Sequence, residues 1–208
     1  MPGKIENPSI FGVAYQSITA LKAWDRKMKN RTLTECGRKM DDKDSHLSDL
    51  NMPSNYQAIL QIMRLYMQSV SHPPSMAWMA ALSGAETAFG STFGPQIAAR
   101  TLEVLQQVRM SRKSVFHFNS PTCPCCCQIV TEHERRFMLA LDNANSGAAA
   151  KMELIMLCEG NDVTLALNAM NHLNQLIAEF LACDAQTPRP ADQIVQGVTR
   201  HGDLSRGL

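Results

Sequence analysis

Tyr56, Ile59, Leu60, Met63, Tyr66, Met67 and Val70 recur at intervals of three and four residues. That spacing gathers them on one face of an α-helix, whereas a strand would scatter them over both of its faces. The stripe is bounded by Ser54, a residue type that caps helices, and by His72-Pro73-Pro74. A proline disfavours the helical conformation in the residue before it, so the helix should end near His72. A stripe of this kind has to be buried against other elements, and similar spacing recurs along much of the chain.

A first helix is expected from Asn7-Pro8 onward, with Phe11, Ala14, Tyr15, Ile18, Leu21 and Met28 at helical intervals. Residues 30–53 hold few large apolar side chains and read as a polar connection. After Pro74, Trp78, Leu82, Ala85 and Phe89 define a helix to about residue 89. The segment from Gly90 to Gly94 reads as a loop. Pro95 then opens a helix to about residue 110 with Ile97, Leu102, Leu105 and Val108. Residues 115–118, Val-Phe-His-Phe, are the most strand-like run. Thr131 and Glu134 have the spacing of a capping box, which places a helix start there with Phe137, Met138 and Leu141 behind it. Two more helices, 148–158 and 162–182, should meet at Glu159-Gly160-Asn161.

The expected class is therefore all-α. It has about seven helices in one bundle-like domain or two packed lobes, with a short strand and a cysteine knuckle between them. The expected divisions are 1–112, an N-terminal helical part; 113–183, the knuckle and C-terminal helices; and 184–208, a tail without periodicity that should be mobile.

Composition bounds what such a chain does. With 208 residues, 45% of them apolar and 19% charged, it can bury a core and is not disordered throughout. A formal net charge of +1 gives no global field toward nucleic acid or an anionic membrane. No apolar run approaches the roughly 18 residues of a membrane span, and the first residues lack the apolar stretch of a secretory signal. The chain is expected to be cytoplasmic and away from membranes. In that reducing setting seven cysteines, an odd number, do not read as a disulfide framework.

Four of those cysteines lie in Cys123-Pro124-Cys125-Cys126-Cys127. Cys123 and Cys126 form a C-x-x-C pair, a spacing that lets two thiolates face one metal ion while amides of the turn point at sulfur. Proline in second place suits the tight turn. A structural zinc ion takes four ligands, and no second C-x-x-C or H-x-x-x-H is present. Completion is expected from Cys125, Cys127, His133, His117 or a distant cysteine such as Cys158 or Cys183. His133 ranks first among the histidines, because the first turn of its helix can face back toward the knuckle. Neighbouring residues in an extended turn point to opposite sides, so Cys125 and Cys126 do not easily share one ion.

Competing chemistries fit less well. A dithiol redox couple usually opens a helix after a strand in a βαβ setting, and iron–sulfur clusters want separated cysteines. Glu132-His133-Glu134 is followed by Arg135-Arg136, so the H-E-x-x-H of metalloproteases is absent. His72 at a helix end reads as a partner for a terminal carbonyl, and His172 among Asn168, Asn171 and Asn174 as part of the wet face of its helix. The basic runs near residues 22–39, 109–113 and 135–136 read as solvated helix faces.

The resulting expectation is a non-catalytic regulatory or adaptor protein with a structural zinc or similar metal site. It would bind another macromolecule, with protein favoured over nucleic acid. The alternative is a thiol- or metal-dependent enzyme, or a metal or redox sensor, that uses the same cluster. Cys126 or Cys127 would then be the nucleophile and His133 the base.

Overall fold

The computed structural model describes residues 40–186. Five α-helices lie among them: α1 (Ser54–Ser71), α2 (Ala77–Ser111), α3 (Glu132–Asp142), α4 (Gly147–Leu157) and α5 (Thr164–Gln186). Short 3-10 turns occupy Leu47–Leu50, Pro73–Ser75 and Cys126–Gln128. The only sheet among the described residues pairs β1 (Ser45–His46) antiparallel with β2 (Ile129–Val130), Ser45 opposite Val130 and His46 opposite Ile129. No helix among these residues is long and apolar enough to cross a membrane.

The fold is predominantly helical, as the periodicity implies, but the helix count is five where about seven were expected. The first expected helix lies outside the described residues. The expected helices over 74–89 and 95–110 are joined into α2, which is interrupted at a single residue, Gly90 (φ 73°, ψ 170°). Only glycine adopts that conformation without strain. The helix resumes at Ser91 instead of waiting for Pro95, which sits near the start of the second limb. The interruption is sharp. Trp78 and Leu82 of the first limb line the same groove as Ala99 and Leu102 of the second. In a straight helix Trp78 and Leu102 would be about 36 Å apart, so the two limbs fold back on one another. Gly94 makes the crossing possible, since a Cβ there would lie 2.6 Å from Glu86 Cα and 2.7 Å from Ala85 O.

α1 and α5 both pack against α2, and α3 packs against α4. Ile59, Leu60 and Met63 of α1 meet Phe89, Ile97 and Leu105 of α2 in one core, which continues through Phe137, Leu154 and Leu173. Phe180 of α5 sits edge-on to Phe89 at 5.2 Å and to Phe93 at 5.7 Å, holding the end of α5 over the hairpin. The turn between α4 and α5 places Glu159 at φ 59° and Gly160 at φ 77°, at the position where the sequence expects a break. α1 begins at Ser54 itself, after Pro53, and Ser54 supplies no side-chain cap.

The strand expected over residues 115–118 does not form. Its polar backbone groups find side chains instead of a ladder. The His117 N–H donates to His133 Nδ1 (2.9 Å), and the His117 carbonyl accepts from Thr131 Oγ1 (2.9 Å). The Asn119 N–H donates to Glu134 Oε1 (2.9 Å). Phe116 is buried between exposed Val115 and His117, and that alternation of burial mimics a strand.

Candidate functional site

The cysteine turn is fixed to the helical body by a pair of buried charges. Arg64 falls four residues after Leu60 and three before Met67, so it shares the apolar face of α1. Its side chain is fully buried, as is that of Glu134. The guanidinium forks onto the carboxylate, with Nε donating to Oε1 (2.7 Å) and Nη2 to Oε2 (2.9 Å). Nη1 donates to the Cys127 carbonyl (2.8 Å) and Nη2 to the Ile129 carbonyl (2.6 Å). Glu134 also accepts the Thr131 N–H at Oε2 (2.8 Å), which together with the Glu134 N–H to Thr131 Oγ1 (3.2 Å) completes the expected capping box. A buried ion pair persists only when its remaining donors and acceptors are satisfied, and here the surrounding backbone does that.

Cys123 to Cys127 form a compact surface turn, each cysteine partly buried. The Cys127 N–H donates to the Cys123 carbonyl (2.9 Å) and the Gln128 N–H to the Cys125 carbonyl (3.2 Å). The Cys126 N–H donates to Cys123 Sγ at 3.4 Å, which is the amide-on-sulfur contact that a C-x-x-C knuckle calls for. The Cys127 thiol donates to the Pro124 carbonyl at 3.2 Å and accepts from Gln128 Nε2 at 3.5 Å.

The expected outside ligands sit in a different constellation, around Arg112. That side chain is nearly buried, donates to the Leu157 carbonyl and to Ser114 Oγ (2.8 Å), and pairs with Glu159 Oε1 at 3.3 Å. Glu159 in turn accepts from the Ser114 hydroxyl and from the Lys113 N–H (3.1 Å). Its carboxyl is held below the usual range, chiefly by the Ser114 hydroxyl and the Lys113 amide. His133 lies against Phe116 and His117 with Arg112 Nη2 3.3 Å from Nε2. Because the His117 amide can only donate, His133 Nδ1 is the acceptor in that contact. Burial, then the charges of Arg112 and His117, push the His133 pKa down to about 4.

Cys158 caps the end of α4, fully buried, and burial raises its thiol to about 11. It is packed as a small apolar side chain. Among the described residues, no group of three or more His, Cys, Asp or Glu side chains is placed to hold a metal ion. The structure thus brings His117 and His133 together, and the four clustered cysteines together, without joining the two sets.

No family model, no curated protein and no solved structure matches this chain.

The geometry of the site does not resemble a nucleophile–base–acid relay. Ser114 donates directly to Glu159, and His133 offers Nδ1 to a backbone amide instead of donating from it to a carboxylate. A different kind of surface lies where α1 meets the α2 hairpin. Tyr66, Val70, Trp78, Leu82, Ala99 and Leu102 line a groove of about 400 Å³ with no charged residue in its wall. Met76, Met79, Trp78 and Val70 are exposed nearby in sequence. Met63 and Met170 by contrast fill the core.

Sequence reasoning missed Arg64, Arg112 and Glu159. The signal for Arg64 was available: it is the one charged residue inside the apolar stripe of α1. Arg112 and Glu159 carry no such mark, because the contacts that draw them together, Arg112 with the Leu157 carbonyl and Glu159 with Lys113 and Ser114, span about 45 positions of the chain.

Proposed function

We propose that this chain is a non-catalytic regulatory or adaptor module that binds another protein and holds zinc, or a similar thiophilic ion, at its cysteine turn. The single observation that carries the metal reading is the Cys126 amide aimed at Cys123 Sγ in a turn pinned to the core through Arg64. Amide donors favour the charged thiolate, and a pinned turn loses little freedom on taking a metal. A protein partner is favoured over nucleic acid because the groove beside Trp78 is apolar and uncharged, while the chain's net charge is +1.

The thiol-enzyme reading is weaker. A base that activates a thiol at neutral pH needs a pKa near 7, and His133 is held near 4. Sensing remains the second reading, because four thiols in five residues exceed what one tetrahedral pair needs.

Metal analysis of the full chain, purified reduced and without added metal, tests the proposal. Zinc should be retained, lost on chelation and absent from Cys123→Ser, with a fall in melting temperature in both cases. Protein that holds no zinc, and whose melting temperature does not respond to added zinc, refutes it.

A further inference from the structure

The turn supplies fewer ligands than a structural zinc ion requires. The C-x-x-C spacing makes Cys123 and Cys126 the knuckle pair, and Cys123 receives the Cys126 amide on its sulfur. The Cys127 thiol is turned to the Pro124 carbonyl, to which it donates at 3.2 Å. His133 is engaged at one ring nitrogen by a backbone amide and faces Arg112 at the other. Cys158 is sealed in the core with a thiol that stays protonated up to about pH 11. No third metal-binding side chain joins the pair among the described residues. The turn nonetheless lies at the surface, with Thr122 and Gln128 exposed on either side of it.

We infer that Cys123 and Cys126 are half of a zinc site, and that the same pair from a second copy of this chain supplies the other half. This rests on the metal reading above and adds the source of the missing ligands. Zinc prefers four thiolates in a tetrahedron and imposes no other geometry, so two C-x-x-C turns facing each other across a two-fold axis satisfy it. Isologous contact through a surface turn needs little other buried area, because the metal–sulfur bonds supply the affinity. The chemistry balances without any oxidant. Four thiols release four protons, Zn²⁺ accepts four thiolates, and the completed centre carries two negative charges. The dimer is therefore favoured by rising pH and abolished by chelation. Arg64 and Glu134 matter to it indirectly, since they hold the Cys127 end of the turn against α1 and fix the direction in which the pair is presented.

The test uses the full chain under reducing conditions, with zinc titrated into metal-free protein while mass is followed by light scattering. Binding should saturate at one zinc per two chains, with the mass doubling over the same titration and returning to monomer on chelation. Cobalt used in place of zinc should saturate at the same ratio, with the intense absorption of tetrahedral thiolate coordination. Cys123→Ser and Cys126→Ser should lose both metal and dimer, whereas Cys125→Ser and Cys127→Ser should keep both. One zinc per chain in a monomer overturns the shared site while leaving the metal reading intact, and places the missing ligands within the chain. A dimer that survives chelation, or that Cys123→Ser still forms, also overturns it. No metal binding at all overturns both.

Discussion

Replacing Arg64 by Met removes a charge that is wholly enclosed and leaves Glu134 buried without its counterion. The methionine fills much of the space of the arginine stem, so the loss is electrostatic more than volumetric. Breaking a buried pair from one side typically costs about 3–5 kcal/mol. Two carbonyls also lose a donor, those of Cys127 and Ile129. Ile129 keeps a second partner in Asn119 Nδ2 at 2.6 Å, and the Cys127 carbonyl is close enough to the surface to recruit water. The upper part of that range is therefore not expected to be exceeded. Against a total stability of about 5–15 kcal/mol for a domain, a loss of this size is large. Urea unfolding followed by helical circular dichroism measures it directly. A double replacement, Arg64→Met with Glu134→Leu, should cost less than the sum of the two single ones, because neither charge is then left alone, although the Thr131 and Asn119 N–H groups lose their acceptor. The coupling in the double-mutant cycle should be at least about 1 kcal/mol. The thiols of the 123–127 turn should also react faster in Arg64→Met, since that variant loosens the turn. If Arg64→Met costs under about 1 kcal/mol, or the double variant is no better than the sum of the singles, the buried pair is not what fixes the turn.

Two further outcomes follow from local geometry. Gly94→Ala places a methyl group 2.6 Å from Glu86 Cα and 2.7 Å from the Ala85 carbonyl, both backbone. The hairpin of α2 should open or shift at a cost of about 1–3 kcal/mol or more, seen as a lower melting temperature, whereas Gly84→Ala, which meets nothing within 4 Å, should be neutral or stabilising. His133 has a folded pKa of about 4 against an ordinary value of 6.5, so the unfolded chain takes up its proton first. Its contribution to stability is complete above about pH 6.5 and is lost as the pH falls toward 4; unfolding midpoints of the native chain and of His133→Gln should differ in slope over that window alone.

Much of the fold was legible in the sequence because burial in a helix leaves a periodic trace. The stripe from Tyr56 to Val70, the Thr131–Glu134 capping box and the break at Glu159-Gly160 all appear as the residues imply. The errors share one cause: local pattern was read where a distant partner decides. Residues 115–118 alternate like a strand, yet their amides and carbonyls are taken by His133, Thr131 and Glu134, from 14 to 16 positions along the chain. Gly90 to Gly94 was expected to be a loop, yet one glycine makes the reversal and the other is needed only because Ala85 and Glu86 return beside it. At the site, the spacing marks Cys123 and Cys126 as a pair, and the helix position of His133 says nothing of the contacts it makes with Phe116 and His117. Nor does that position reveal the burial, and then the Arg112 charge, that favour an uncharged ring.

The same reasoning explains why the cysteine turn should respond to metal without dictating the fold. The core that unites α1, α2 and α5 contains none of its four thiols, and the turn joins that core through one arginine and the short β1–β2 pairing. Chelation should therefore lower stability by the linkage term for a bound ligand, about 2.7 kcal/mol when free metal is one hundred times its dissociation constant. It should leave the helical signal intact at low temperature. A classical zinc finger behaves differently, because there the metal replaces a core and its removal unfolds the chain. If removing zinc melts α1 or α2 outright, the metal lies deeper in the fold than a pinned surface turn allows. The division drawn here between helical body and thiol turn would then be wrong.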